Sequence, residues 1–191
     1  QWPVLDRRRA LRFPSARPEG MRDRDTASMI RVDQAGEYGA ARIYAGQLAV
    51  LGNRHPASRP IRHMAAQEQR HLDRFDAMVA ARGVRPTLLQ PFWHVAGFAL
   101  GAVTAAIGPE AAMACTAAIE TEIDNHYGEQ LDRLGSSDPE LSEAIADFRA
   151  EEAEHKATAI AEGAERAPAY PLMSSAIRLG CRVAIELSKR I

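Results

Sequence analysis

The sequence predicts an all-α protein, and two observations lead to that prediction. Alanine, the residue with the highest intrinsic helix propensity, fills 36 of the 191 positions, whereas aromatic residues make up only 6%. The prolines, which break helix interiors, are spaced so that long Pro-free stretches remain between them. Those stretches are the candidate helices: 19–55, 61–85, 110–138, 140–167 and 172–191.

Residues that commonly end or begin helices lie at the boundaries of these stretches. Gly52, Gly83 and Gly135 stand where the first three helices should end, since glycine is the usual C-terminal cap. Asp138, followed by Pro139 and an acid, predicts the start of the fourth helix. In the first four stretches apolar residues recur at steps of three and four, which is the period of an α-helix.

Charge, length and cysteine content limit the class of protein. Lys+Arg is 24 and Asp+Glu is 25, so the net charge of −1 gives no electrostatic basis for nucleic acid as the main partner. Apolar runs are shorter than the roughly 18 to 20 residues of a transmembrane helix. Cys115 and Cys181 form no CxxC pair, which argues against a thiolate metal site or a disulfide framework.

The start of the chain differs from the rest. Residues 1–22 carry six arginines, two acids and three prolines without a helical period. Two interpretations remain open: a flexible basic tail, or the remainder of an Arg-rich targeting segment. We therefore predict a flexible basic N-terminal segment over 1–25 and a single domain over 26–191.

Each of the four long helices carries a glutamate on the face that its apolar residues assign to the core. An ionised carboxylate in an apolar core costs several kcal/mol unless it is paired or binds a metal. Lysine and arginine are absent from these faces. Two of the helices add a histidine three residues after the glutamate, which places both side chains on one face. The polar residues concerned are Glu37, Glu68, His71, Glu120, Glu152 and His155.

The spacing of these residues repeats along the chain. Glu37 precedes the first Glu-x-x-His pair by 31 residues, and Glu120 precedes the second by 32. Two helical hairpins of this layout supply the ligand set typical of ferritin-like di-iron and di-manganese carboxylate proteins. Carboxylate and imidazole without thiolate favour iron or manganese over zinc. The sequence therefore predicts a ferritin-like four-helix bundle with a two-metal site; four buried, metal-free carboxylates are the alternative.

Three further residues are candidates for contacts to the metal ligands. Asp33 lies four residues before Glu37 and is a possible acceptor for a ligand histidine, with a solvated aspartate as the alternative. Tyr127 lies one heptad after Glu120 on the same face, which suits a hydrogen bond to a ligand, a place in a pocket wall or an ordinary core position. His126 precedes it and is a candidate for the same surroundings.

An apolar segment, residues 92–107, lies between the two predicted hairpins and contains no Asp, Glu, Lys or Arg. It is too short to span a bilayer. It suits a buried crossover between the hairpins, a helix seated in the membrane interface, or both.

The last stretch, 172–191, predicts a shorter amphipathic helix. Its basic residues share one face and its apolar residues the opposite one. The basic residues are Arg178, Arg182 and Lys189, and the apolar residues are Leu179, Val183 and Leu187. Such a helix either binds anionic lipid or covers the bundle with its polar face in solvent.

Several runs of the sequence carry a family resemblance. They are IRVDQAGEYGA at 30–40, IYAGQ at 43–47, AMACT at 112–116, APAY at 167–170 and GCRVAI at 180–185. From about residue 28 onward the chain resembles the demethoxyubiquinone hydroxylases of ubiquinone biosynthesis. Members of that family are ferritin-like di-iron monooxygenases, attached peripherally to a membrane, that hydroxylate the ring of a demethoxy-quinone lipid.

The resemblance implies that the Glu and His residues of the core faces are the catalytic residues and bind two iron ions. It also implies O₂ as co-substrate and electrons that come ultimately from NADH. One departure is Asn125 beside His126, where relatives can show two consecutive histidines. If that first position tunes the site, proton delivery is expected to differ here. A ferritin-like ferroxidase without an organic substrate is the alternative function.

The implied partners are a prenylated quinone lipid, a peripheral membrane surface and a lipid-binding accessory protein of the same pathway. Nucleic acid is not expected as a partner, and a homo-oligomer is possible. The expected location is the matrix side of the mitochondrial inner membrane, with the cytoplasmic side of a bacterial inner membrane as the alternative.

Overall fold

The computed structural model describes the backbone of residues 19–191 and the side chains from residue 24 onward, and the predicted all-α class is confirmed. Residues 1–18 of the predicted N-terminal segment lie outside the described residues. The remainder of that segment, 19–25, is helical and belongs to the first helix. The α-helices of residues 19–191 are α1 (Glu19–Leu51), α2 (Ser58–Arg82), α3 (Gln90–Ile107), α4 (Pro109–Leu134), α5 (Pro139–Ala161) and α6 (Tyr170–Ser188), with a 3-10 helix at Ala164–Arg166.

The helices end where the sequence places its caps. Helices α1, α2 and α4 end immediately before Gly52, Gly83 and Gly135, and all three glycines have positive φ. At the start of α5, the Asp138 carboxylate accepts a hydrogen bond from the Leu141 backbone N–H at 3.1 Å. These observations confirm the boundaries predicted from glycine and from the Asp-Pro pair.

Two helical hairpins form the bundle. Helix α1 packs against α2, and α4 packs against α5. Helix α3 crosses from the first hairpin to the second and lies along α1, while α6 lies against α4 and touches α1. Each long helix turns its apolar face inward, so the charged residues on those faces are carried into the core.

Helix α3 lies at a distance from α1 that glycine alone permits. A Cβ atom on Gly101 would lie 1.9 Å from the carbonyl oxygen of Ile43, and one on Gly46 would lie 2.1 Å from the carbonyl oxygen of Phe98. These are backbone atoms and cannot move aside without shifting a whole helix. The glycines therefore set the separation of α1 and α3.

We expect Gly101→Ala to lower the free energy of unfolding by about 1–3 kcal/mol, because the added methyl overpacks the α1–α3 contact. Gly180→Ala on α6 is the matched control, since a Cβ there meets nothing within 4 Å. That control should be neutral or stabilising by up to about 1 kcal/mol, because alanine has the higher helix propensity. Chemical denaturation measures both, and equal effects of the two changes would contradict the close-contact explanation.

Helix α6 pairs two of its basic residues with the bundle. This differs from the predicted alternative, a bundle-covering helix whose basic face lies in solvent. Arg178 Nε lies 2.5 Å from Glu122 Oε1, and Arg182 Nε lies 3.3 Å from Glu122 Oε2. Glu122 belongs to α4 and is buried. A buried carboxylate requires a cationic partner, and the two arginines supply it. Two residues of the basic face, Arg178 and Arg182, are therefore directed toward α4.

Four apolar side chains of α6 point outward and are 40–73% exposed, whereas Met173 and Ile177 pack against the core. Four apolar side chains of α3 are exposed to a similar extent, 52–66%. We call these residues together the apolar face: Phe92, Val95, Val103, Ile107, Leu172, Leu179, Val183 and Leu187. The segment 92–107 is thus a crossover helix whose outer side is exposed. Within residues 19–191, none of the helices combines the length and apolarity needed to cross a bilayer.

Candidate metal centre

The six Glu and His residues on the core-facing sides of the helices lie close together inside the bundle. Each is at most 1% exposed. Their ligand atoms form two groups, and within each group the atoms lie within 4.8 Å of one another. One group is Glu37, Glu68, His71 and Glu152, and the other is Glu68, Glu120, Glu152 and His155.

The two groups share a pair of carboxylates. Glu68 of α2 and Glu152 of α5 belong to both, whereas each group has its own glutamate and its own histidine. The repeat seen in the sequence is therefore a repeat in space, with each hairpin supplying one of the shared carboxylates.

Both histidines direct the same ring nitrogen toward the carboxylates. His71 Nδ1 lies 3.1 Å from Glu152 Oε1 and 3.4 Å from Glu37 Oε2. His155 Nδ1 lies 2.9 Å from Glu152 Oε2 and 3.2 Å from Glu68 Oε1. In each ring Nε2 points away from the carboxylates and contacts a residue outside the cluster.

Several buried ligand atoms have no hydrogen-bond partner. They are Glu37 Oε2, both carboxylate oxygens of Glu68, Glu120 Oε2, Glu152 Oε1 and His71 Nδ1. Buried polar atoms are normally satisfied, and a buried carboxylate without a partner is costly. Divalent cations would supply the missing partners, so the donor set fits a metal site of the carboxylate–histidine kind.

The electrostatics of the cluster reflect four acids in one buried space. Burial and the Glu152 charge raise the pKa of Glu68 well above its usual value, and the same causes raise the pKa of Glu120. Burial would lower the pKa of His71, but the nearby carboxylates of Glu152 and Glu37 raise it to about 10. Burial would also raise the pKa of Glu152, but the nearby imidazoles of His155 and His71 lower it to about 2. Protons thus balance the negative charge when cations do not.

Two buried tyrosines hold the outer glutamates across the bundle. Tyr127 of α4 donates its hydroxyl proton to Glu37 Oε1 on α1, and Tyr44 of α1 donates to Glu120 Oε1 on α4 at 2.9 Å. Tyr127 was a candidate from the sequence, whereas Tyr44 was not. The signal for Tyr44 was present, since each tyrosine follows a glutamate of its own helix by one heptad.

Asp33 and His126 lie beside each other, away from the ligand histidines. Asp33 Oδ1 accepts a hydrogen bond from Gln130 Nε2 at 2.8 Å and lies 3.4 Å from His126 Nε2. Burial raises the pKa of Asp33. The structure therefore places Asp33 against His126, and not against a ligand histidine as the sequence suggested.

His71 and His155 contact two residues that the sequence pattern did not identify. His71 Nε2 lies 3.1 Å from Glu151 Oε2, and His155 Nε2 lies 3.1 Å from Gln67 Oε1. Each of these partners directly precedes a ligand glutamate in the chain. Neighbours in sequence point about 100° apart around a helix, so helical spacing gave no signal for them.

A cavity of about 430 Å³ adjoins the cluster and is lined by α1, α3, α4 and α6. Its wall includes Glu37, Tyr127, Asp33 and His126, and most of the remaining lining is apolar. Gly180, which is exposed, also belongs to the lining, so the cavity reaches the surface beside α6. This volume is in the range of small-molecule sites, about 300–1,000 Å³.

A model of the family described as "Ubiquinone biosynthesis protein COQ7" matches residues 24–188. The chain is 57% identical over 162 residues to the "3-demethoxyubiquinol 3-hydroxylase" of Rhodospirillum rubrum, which covers 85% of this chain and 76% of that relative. It is 53% identical over 166 residues, with the same shares, to the mouse protein named "NADPH-dependent 3-demethoxyubiquinone 3-hydroxylase, mitochondrial".

A more distant relative agrees. The chain is 44% identical over 179 residues to the yeast "5-demethoxyubiquinone hydroxylase, mitochondrial", covering 85% of this chain and 77% of that protein. These matches confirm the resemblance seen in the sequence runs. The chain belongs to the COQ7 family of ubiquinone biosynthesis proteins.

Proposed function

We propose that this demethoxyubiquinone hydroxylase of ubiquinone biosynthesis acts through two iron ions bound by its buried carboxylate–histidine cluster. The observation that carries the proposal is the pair of overlapping four-residue groups with unpartnered oxygens beside an apolar cavity. Glu37 and His71 would hold one ion, Glu120 and His155 the other, and the shared Glu68 and Glu152 would contact both. When bound, the iron pair supplies O₂ activation and the insertion of one oxygen atom into the quinone ring.

The cavity is the proposed site of the quinone ring. Its apolar lining excludes water and suits an aromatic ring with an isoprenoid chain. Glu37 and Tyr127 form its wall on the side of the cluster, so a ring bound there lies against the proposed iron ligands. The prenyl chain would leave by the opening beside α6 and continue along the apolar face.

The polar groups of the cavity wall have separate roles in this proposal. Tyr127 donates to Glu37 Oε1 and thereby holds that carboxylate in place next to the ring. Asp33 and His126 are the ionisable pair exposed to the cavity, so they are positioned to exchange a proton with a ring hydroxyl.

The apolar face is the proposed membrane-contacting surface. It is formed by α3 and α6, the two helices outside the bundle that also line the cavity. A peripheral position at a membrane would bring the opening of the cavity to the lipid that carries the substrate.

We expect the double change Val95→Glu and Val183→Glu to release the protein from lipid vesicles, because charges on the apolar face resist burial in lipid. Both residues are exposed, so folding should be unaffected. Vesicle flotation measures the bound fraction. Ile160→Glu, an exposed apolar residue of α5 outside the apolar face, is the control and should leave the bound fraction unchanged. If the double variant binds vesicles as well as the wild-type protein does, the apolar face is not the membrane-contacting surface.

The electron source and location belong to the same proposal. Sequence analysis named NADH, whereas the mouse relative is named NADPH-dependent. We propose a reduced nicotinamide as the source, and assays with each nucleotide in turn decide between the two. Relatives occur both in mitochondria and in a bacterium. We propose the matrix side of the mitochondrial inner membrane or the cytoplasmic side of a bacterial inner membrane, with a lipid-binding accessory protein and a second copy of this chain as partners.

The test is a single turnover under air. The protein is loaded with Fe(II), given a reduced demethoxy-quinol with a short prenyl chain, and the products are weighed by mass spectrometry. A product heavier by one oxygen atom, and absent with metal-free protein, supports the proposal. Ferric iron accumulating beside unchanged quinol would contradict it and favour the ferroxidase, which needs the same ligands but no organic substrate.

A further inference from the structure

The outward nitrogens of the two ligand histidines contact groups of different charge. His71 Nε2 lies 3.1 Å from the carboxylate oxygen Oε2 of Glu151. His155 Nε2 lies 3.1 Å from the amide oxygen Oε1 of Gln67. The two groups of the cluster thus contain the same residue types. They differ in the residue that contacts the outward histidine nitrogen, which is charged in one group and neutral in the other.

Glu151 is connected to both histidines. Its Oε2 faces His71 Nε2 and also accepts a hydrogen bond from Gln67 Nε2 at 2.9 Å. Arg70 donates to the same carboxylate, at 3.0 Å to Oε2 and 3.3 Å to Oε1. Because the NH₂ group of Gln67 faces Glu151, its carbonyl oxygen must face His155.

These contacts determine which ring nitrogen carries the proton. A carboxylate and an amide oxygen are both acceptors, so each histidine donates from Nε2. In the neutral ring Nδ1 then holds the lone pair, and Nδ1 is the atom that faces the carboxylate cluster in His71 and His155. A metal ion binds such a lone pair.

We propose that Glu151 is a positioning residue that orients both ligand histidines, His71 directly and His155 through Gln67. We further propose that it makes the two metal positions unequal. A carboxylate strengthens the opposite nitrogen as a ligand more than a neutral amide does, so the position at His71 is the tighter one. The inference rests on the proposed two-metal site.

The test is a titration with Mn²⁺, followed by the EPR signal of the free ion. The wild-type protein should bind two ions in unequal steps. Glu151→Gln keeps the shape and an acceptor oxygen but removes the charge, and it should weaken the tighter step by about 10–100-fold. Glu151→Ala also removes the acceptor for Gln67 and should weaken both steps.

Two controls separate positioning from general damage. Glu154→Gln removes the same charge from an exposed position on α5 and should leave both steps unchanged. In a His71→Ala background, Glu151→Gln should have almost no further effect on the remaining step, since the charge acts through His71. Thermal unfolding of the metal-free variants verifies that each is folded.

The outcomes distinguish the inference from the function on which it rests. A folded wild-type protein that binds no Mn²⁺ would overturn the two-metal site itself. Two bound ions with affinities that Glu151→Gln does not alter would overturn the role of Glu151 alone. An undiminished effect of Glu151→Gln in the His71→Ala background would likewise show that the charge does not act through this histidine.

Discussion

Glu68→Gln should abolish binding of the metal pair and, at the same time, stabilise the metal-free protein. Glu68 belongs to both ligand groups, so its loss removes a ligand from each position. Both of its carboxylate oxygens lack a hydrogen-bond partner, and burial raises its pKa well above the usual value. A neutral amide in that place removes a buried acid and offers N–H donors to the remaining carboxylates.

We expect the metal-free variant to gain about 1–2 kcal/mol in free energy of unfolding, since a buried acid with a raised pKa must take up a proton on folding at neutral pH and an amide need not. Thermal unfolding with Mn²⁺ and with a chelator measures both effects. The wild-type midpoint should rise with metal, and the variant midpoint should not. Hydroxylation of a short-chain demethoxy-quinol should fall below detection.

Glu129→Gln is the matched control, because it removes the same charge from an exposed position on α4. It should leave the metal response and the hydroxylation unchanged. A Glu68→Gln protein that still gains stability from Mn²⁺ would exclude Glu68 as a ligand. A metal-free variant less stable than the metal-free wild type would contradict the idea that the buried acid needed for metal binding lowers the stability of the metal-free protein.

The bundle and its buried acids were predictable because they follow from simple periodicity. A glutamate such as Glu120 stands out because most of its neighbours on that helix face, such as Met113 and Ile123, are apolar. The repeated spacing then indicates two similar hairpins, and each hairpin brings one Glu and one Glu-x-x-His pair to the interior. The tyrosines extend this repeat, since Tyr44 and Tyr127 each reach across to the glutamate of the opposite helix.

The orientation of α6 was not predictable from its own sequence. An amphipathic helix shows two faces, but its pattern does not state which one turns to the protein. The deciding residue is Glu122, a buried carboxylate of α4 that pairs with Arg178 and Arg182. Its burial depends on the tertiary structure, so the exposed apolar side of α6 became visible only with the fold.

Closing the cavity should abolish hydroxylation while the metal centre remains intact. Ala184 of α6 lines the cavity and carries a small side chain, so Ala184→Trp would place an indole where the quinone ring is proposed to bind. We expect kcat/KM for the quinol to fall by about 10²-fold or more, because even a small misplacement of a reacting ring has an effect of that order. Mn²⁺ binding and the metal-dependent rise in unfolding temperature should equal those of the wild type.

Val183→Trp provides the matched control, because Val183 is the adjacent residue and belongs to the exposed apolar face. The same indole there points away from the cavity and should preserve the reaction. The comparison also separates the two functions that share this ligand set. A hydroxylase loses its product with Ala184→Trp but keeps the ability to oxidise Fe(II), since no cluster ligand is changed. A protein whose only activity is iron oxidation would be indifferent to either substitution, and unchanged quinol turnover in Ala184→Trp would show that the ring binds elsewhere.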